Sequence, residues 1–309
     1  MNRTNYQIGI FLVVLSIFFA SLLLFRILHI NPQSIVSPTA ETLPLANIPF
    51  FQSNSEKKSL QDIIDPVLKN TKGTYGIIIR NLKTYETYAL NDHRVFQSGS
   101  LYKLWVMGAV YEQIKNGQLH GSDILQQEIP LLNEKFRIAS EDAELAEGVI
   151  RLSVDDAMEQ MITVSDNYAA LLLSEKVRLS RVQQFLSVKG FGESKVGTDG
   201  NMPTTTPSDI SKFFTMIYEG KLLNKEYDIK MLDLLKQQKL NNKIPKKLPK
   251  GTVIAHKTGE LGLFTHDAGI VYMKNGDYII VIFSESQTPQ EEEQTIADLS
   301  EAVYRYFTE

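Results

Sequence analysis

The sequence predicts an α/β fold of the α+β type. One antiparallel sheet is built from both ends of a domain and flanked by helices, with a largely helical middle subdomain, and the whole is preceded by one N-terminal transmembrane helix. Three observations predict the sheet and its helices. Two β-rich runs, Thr74–Leu82 and Thr84–Leu90, lie early in the chain. Two more, Gly269–Tyr272 and Tyr278–Phe283, lie late and flank Asn275-Gly276, a dipeptide suited to hairpin turns. Between these ends the periodic stretches are mostly helical, so the simplest assembly pairs the early strands with the late ones.

Composition narrows the function. The 309 residues suffice for one large domain or two ordinary ones with a substantial core. Hydrophobic residues make up 43% and charged residues 22%, a globular balance. A net charge of −4 gives no reason to expect a nucleic-acid partner. The chain has no cysteine, which excludes disulfides, thiolate metal ligands and a cysteine nucleophile. Five scattered histidines lack H-x-x-x-H spacing, so neither a metal nor a cofactor is expected.

Taken in order, the chain divides into three parts. Residues 1–30 hold Ile8–Phe25, an apolar run without charge and without a polar face. No small-residue cleavage site precedes Asn31, so an uncleaved membrane anchor is expected over a cleaved signal peptide. Residues 31–58 carry Pro32, Pro38, Pro44 and Pro49 among many polar residues and form an extended tether. Residues 59–309 are the folded domain. Leu60, Ile63, Ile64, Val67 and Leu68 fall at helical spacing, and Gly73 ends that helix. After the early strands, apolar residues from Leu104 to Ile114 form a helix. Ser153–Thr163 follows with a serine cap and an acidic first turn. Further helices cover Tyr168–Lys176, Ser180–Lys189, the stretch opened by Thr206-Pro207, Tyr227–Lys236 and Gln290–Phe307. Ser140–Glu147 reads as an acidic, solvated loop. Lys239, Lys243, Lys246, Lys247 and Lys250 form a basic stretch. It reads as a solvated loop, with contact to anionic wall polymers or lipid head groups as the other possibility.

The chemistry is concentrated in three short motifs. Ser100-Leu101-Tyr102-Lys103 places a hydroxyl and an amine three residues apart at a helix start, where they share a face. A serine needs a base to become a nucleophile, and a helix N-terminus favours the oxyanion that forms on the group it attacks. The second motif is Ser165-Asp166-Asn167, at the end of a helix. The third is Lys257-Thr258-Gly259, after the β-rich run Thr252–His256.

The motifs S-x-x-K, S-D-N and K-T-G in this order resemble the class A β-lactamase family, within the wider group of penicillin-binding serine hydrolases. The resemblance runs from about Ser59 to Glu309. It extends to Phe96-Gln97-Ser98, to Thr204-Thr205-Thr206-Pro207 and to the hairpin at Asn275-Gly276. It implies Ser100 as the nucleophile of an acyl-enzyme and Lys103 as its base. Ser165 would pass a proton to the leaving nitrogen, and Lys257 would be a fixed positive charge on an edge strand. Asn167, Thr258, Gly259, Glu260 and His266 would bind substrate. In that set the backbone N–H groups of Ser100 and Glu260 form the oxyanion hole, and His266 stands where many relatives carry an arginine for the substrate carboxylate. Asp166 is expected to be structural.

The departures decide the expected outcome. The family's water-activating glutamate, in an E-x-x-L-N setting, is absent from Phe191–Pro203, and that interval is shorter by roughly ten residues than the family's. Glu193 comes too early, and Asp199 in Thr-Asp-Gly-Asn reads as a turn former. The expected activity is hydrolysis of β-lactam amides outside the cytoplasm, on a domain held at the cell membrane. The rivals are a D,D-peptidase acting on peptidoglycan stem peptides and a sensor that binds such ligands without turnover.

Overall fold

The computed structural model describes residues 58–69, 71–198 and 200–309. The expected membrane span, most of the tether and Asp199 lie outside the described residues. Among the described residues no helix is long and apolar enough to cross a membrane.

Helix α1 (Leu60–Leu68) begins at a reciprocal capping box, in which Ser59 and Asp62 each accept the other's backbone N–H. Strands β1 (Thr74–Asn81) and β2 (Thr87–Leu90) follow. β2 starts later than Thr84 because Asn81 Oδ1 accepts N–H from Lys83 and Thr84 at 2.8 and 2.9 Å, which holds the intervening residues as a turn. A short strand β3 (Phe96–Gln97) leads to α2 (Tyr102–Lys115). Then come β4 (Ile124–Glu128), α3 (Ile129–Phe136), β5 (Val149–Ser153), α4 (Val154–Thr163), α5 (Asn167–Val177) and α6 (Leu179–Lys189). The chain continues through β6 (Thr204–Thr205), α7 (Pro207–Tyr218) and α8 (Lys225–Leu235). It returns to the sheet as β7 (Ile254–Leu261), β8 (Phe264–Val271) and β9 (Tyr278–Glu285), and closes with α9 (Pro289–Thr308).

The sheet order is β2-β1-β9-β8-β7, antiparallel throughout, so strands from both ends share one sheet and β7 lies at its edge. Alternate residues of each central strand face opposite cores. Ile78, Ile279, Val281 and Phe283 join the core of the helical middle region. Ile77, Ile79, Ile280 and Ile282 pack with α1 and α9. Burial on both faces explains why these strands are near-continuous apolar runs in the sequence. Two small ribbons, β3–β6 and β4–β5, are not foreseen from the sequence; runs this short carry little period.

One expectation about the late strands is corrected. β8 begins at Phe264, not Gly269, because polar residues are paired inside it. Asp267 Oδ2 accepts the Ile244 N–H at 3.0 Å, and its Oδ1 lies 2.9 Å from His256 Nδ1. The basic stretch keeps the solvated character expected of it at Lys239, Lys246, Lys247 and Lys250, which are exposed, and departs from it at Lys243. Lys243 is buried and paired with Glu260, while Lys246 and Lys247 bind Gln294 and Asp298 on α9. Two of its five charges, at Lys243 and Lys247, are thus paired with carboxylates of the domain.

Candidate active site

α2 runs through the centre of the helical region, and every residue from Lys103 to Val110 is buried. Its apolar circumference follows from that position. Ser100 lies in the 3₁₀ turn Gly99–Leu101 just ahead of it. Edge strand β7 presses against this turn. A Cβ on Gly99, at φ +48°, would lie 2.7 Å from the Glu260 nitrogen, and one on Gly259 would lie 2.7 Å from the Ser98 carbonyl. Glycine at both positions permits the close approach. The two backbone segments expected to form the oxyanion hole, at Ser100 and Glu260, are therefore neighbours.

Lys103 enters with no exposed surface, carrying a titratable amine into the core. Its Nζ donates to the Ser165 carbonyl at 2.5 Å, to Asn167 Oδ1 at 2.7 Å and to Ser165 Oγ at 3.2 Å. Burial lowers its pKa to about 8, with the charges of Asp166 and Glu144 opposing the drop. Ser165 ends the turn after α4 with φ +61°, a left-handed conformation that is costly for a residue with a Cβ. Asp166 holds that turn, its Oδ1 accepting the Ala169 N–H at 2.7 Å as the cap of α5. This is the structural position expected for it.

Lys257 is likewise buried, and its Nζ donates to Ser165 Oγ at 3.0 Å and to the Thr258 carbonyl at 2.9 Å. Burial, and then the neighbouring Lys103, push its pKa well below the usual lysine range. Two desolvated amines thus converge on one hydroxyl, at Ser165 Oγ. A hydroxyl has two lone pairs and one proton. With both lone pairs engaged by lysines, the proton of Ser165 is left to point away from them.

Asn167 borders the same cluster, with its Oδ1 on Lys103 and its Nδ2 donating to Glu144 Oε1 at 2.5 Å. Glu144 belongs to the stretch expected to be a solvated loop, and local sequence gives no sign of its contact with Asn167. The signal lies in Tyr168, the next residue, whose hydroxyl accepts the Leu145 N–H at 3.1 Å and ties that loop to α5. Thr258 is buried on β7, and Gly259 faces the nucleophile turn. Glu260 contributes backbone to this edge, while its side chain pairs with Lys243.

His266 is not available for a substrate carboxylate, which corrects its expected binding role. It has no exposed surface; its Nε2–H donates to the Gln97 carbonyl at 2.8 Å, and its Nδ1 accepts the Ser284 N–H at 3.3 Å. Its ring stacks at 4.4 Å on Phe283. Burial pushes its pKa down to about 4, so it is a neutral support beneath the strand that delivers Ser100. Glu193 is also directed elsewhere, with Oε1 2.9 Å from His93 Nδ1 and Oε2 accepting from Thr206 Oγ1 at 2.8 Å. Among the described residues of the shortened interval, no carboxylate makes a hydrogen bond to Ser100, Lys103, Ser165 or Lys257.

The site thus joins a buried lysine beside a serine-bearing turn, a second serine held by two amines and a glycine-permitted edge strand. Comparison with known proteins places it. The sequence model of the β-lactamase enzyme family matches residues 57–307, and the chain belongs to that family. It is 25% identical to the β-lactamase VEB-1 of Pseudomonas aeruginosa, over 82% of this chain and 92% of that one. It is 26% identical to a β-lactamase of Bacteroides uniformis, over 84% and 94% of the two chains. In structure it is similar to a β-lactamase of Sphaerobacter thermophilus, with a TM-score of 0.70 at 23% identity over 81% of this chain and 97% of that one. It is also similar to PBP-A, with a TM-score of 0.69 at 22% identity over 81% and 96%. A variant of PBP-A is known as an acyl-enzyme complex with penicillin G.

Proposed function

We propose that this chain is a serine hydrolase that opens β-lactam rings through an acyl-enzyme on Ser100. The observation that carries the reading is the convergence of Lys103 and Lys257 on Ser165 Oγ beside the Ser100 turn. With a pKa of about 8, Lys103 holds a neutral amine in about a tenth of molecules at pH 7. That amine takes the Ser100 proton, directly or through a relay, as Oγ attacks the amide carbonyl. The oxyanion forms between the backbone N–H groups of Ser100 and Glu260. The C–N bond then breaks, Ser165 gives its proton to the leaving nitrogen, and a lysine on Ser165 Oγ replaces it. The product is an ester on Ser100 with the ring nitrogen protonated. Asn167 receives the substrate's side-chain amide, and Thr258 with Lys257 receives its carboxylate. The curated relatives named as β-lactamases support this substrate class.

A second reading is favoured by one observation: no carboxylate from the described part of the shortened interval is bonded into the cluster, while the likeness to PBP-A lies in the same fold. In that reading Ser100 acylates on a D-Ala-D-Ala-type peptide and the ester clears slowly. In either case the domain is proposed to work outside the cytoplasmic membrane, held there by Ile8–Phe25, a reading supported by the apolar sequence and by the site of such substrates.

The test uses the full chain in detergent with a chromogenic β-lactam, following turnover and covalent mass together. Sustained turnover identifies a β-lactamase, and a lasting adduct on Ser100 identifies a peptidase or sensor. No adduct and no turnover in the wild type, or an adduct that persists in Ser100→Ala, overturns the acyl-enzyme.

A further inference from the structure

Glu144 lies outside all three motifs and reaches the site from the loop between α3 and β5. That loop is pinned one residue further on. Leu145 N–H donates to the Tyr168 hydroxyl at 3.1 Å, and Asn133 Nδ2 donates to the Leu145 carbonyl at 2.8 Å. From this anchor Glu144 Oε1 accepts from Asn167 Nδ2 at 2.5 Å, while Asn167 Oδ1 accepts from Lys103 Nζ at 2.7 Å. Both ends of the amide are thereby specified. A flipped amide would put its NH₂ against the lysine and its oxygen against the carboxylate, losing both bonds. One Nδ2–H then remains for the cleft.

We propose that Glu144 is a positioning residue for acylation: it fixes the Asn167 amide that receives the substrate side chain, and through that amide and its own charge it governs Lys103. The proposal rests on the acyl-enzyme reading above and adds a residue to it.

The groups facing Lys103 come from every element around it. Ser165 and Asn167 are bonded to it, Asp166 caps α5 beside it, Glu144 approaches from the loop, and Lys257 faces it from β7. Lys257 in turn feels Asp267, Lys243 and Glu260. Burial lowers the Lys103 pKa, and Asp166 and Glu144 are the two carboxylates that raise it. Asp166 is committed to the helix cap through Oδ1, which leaves Glu144 as the carboxylate that also bonds a cleft side chain. Glu144 is exposed, so its pull is screened and its effect is modest and salt-dependent.

The test compares the wild type with Glu144→Gln, Glu144→Ala and Glu144→Asp. Lysine ε-¹³C NMR follows the Lys103 titration directly, with the signal assigned by its loss in Lys103→Arg. In parallel, mass spectrometry measures the pH dependence of acylation by benzylpenicillin and by 6-aminopenicillanic acid, which lacks the side-chain amide. Glu144→Gln keeps an acceptor for Asn167 but not the charge. Its Lys103 titration and acylation midpoint are expected to move together to lower pH by a few tenths of a unit, and the shift should shrink at high salt. Glu144→Ala is expected to acylate about tenfold more slowly with benzylpenicillin and much less altered with 6-aminopenicillanic acid, and Glu144→Asp should recover part of the loss. An unmoved Lys103 titration in Glu144→Gln overturns the proposal, as does an equal effect of Glu144→Ala on both penicillins. The titration needs no turnover. Absence of both adduct and turnover in the wild type therefore overturns the acyl-enzyme reading, and with it the acylation half of this proposal, whatever the titration shows.

Discussion

Lys103 combines a core position with a titrating amine, and its pH behaviour follows. In the proposed reaction its neutral form is the base, and that form grows as pH rises through the folded pKa of about 8. Acylation measured by stopped-flow between pH 6 and 9, roughly the window around that value, should rise with pH and level off above it. Lys103→Ala should flatten the profile and slow acylation by about a hundredfold or more. His266 titrates in the opposite sense for stability. Its folded pKa of about 4 lies below its ordinary 6.5, so between these values the unfolded chain binds the extra proton. The contribution is fully present above pH 6.5 and is lost as pH falls toward 4. At about 1.4 kcal/mol per unit the gap is worth about 3 kcal/mol. Urea denaturation should show that loss in the wild type and a flatter profile in His266→Asn, which is less stable at neutral pH because the Phe283 stacking is weakened. Lys103, Ser165 and Lys257, which meet in the fold, were legible as members of three motifs, because each motif places its residues within a turn or strand of fixed spacing. The burial of His266 was not, since a polar residue reads the same whether its partner is water or the Gln97 carbonyl.

At the scale of elements, the site depends on two backbone devices. β7 approaches the nucleophile turn through Gly99 and Gly259, so Gly99→Ala places a Cβ 2.7 Å from the Glu260 nitrogen at a φ of +48°. That substitution should cost about 1–3 kcal/mol in thermal or chemical unfolding and depress acylation by displacing the oxyanion donors. Ser165 stores strain of the other kind, with φ +61°. Ser165→Gly should relieve it but leave the buried Lys103 and Lys257 amines short of an acceptor, so no net gain in stability is expected, and loss of the proton donor should slow acylation by about a hundredfold. A gain in stability with retained acylation would refute the role given to Ser165. The helices themselves were legible from period and caps, as Ser153 over α4 and Thr206-Pro207 over α7 show. β8 was not fully legible. Its first half is polar, and those side chains are paired by residues far along the chain.

For the described domain as a whole, both of its ends support one sheet, and α9 covers the outer face through Ile296, Leu299 and Val303. Tyr75 on β1 donates to Glu292 on α9 across that face. Tyr75→Phe removes the hydrogen bond and leaves a buried carboxylate oxygen less well satisfied, so a loss of about 1–3 kcal/mol is expected in chemical denaturation. The lysine-rich stretch that the sequence offered as a surface patch also belongs here, since Lys247 binds Asp298 and faces Glu301 on the same helix. Sheet topology was legible at this scale because strand-like runs stood at the ends and helical periods between them. The partners of the charged residues were not.

The sequence by itself determined the motif residues and the architecture: two serines and two lysines at motif spacing, on a sheet drawn from both ends of a domain. These follow from local properties, namely residue type, spacing within a turn of helix and the period of apolar residues. Tertiary structure alone decided how the parts work on one another. Ser165 Oγ receives Lys257 from 92 residues away, and Asn167 receives Lys103 from 64 residues away and Glu144 from 23. No local spacing encodes such meetings. The lowered pKa values of Lys103, Lys257 and His266 arise from loss of water, which exists only once the helices and the sheet have packed.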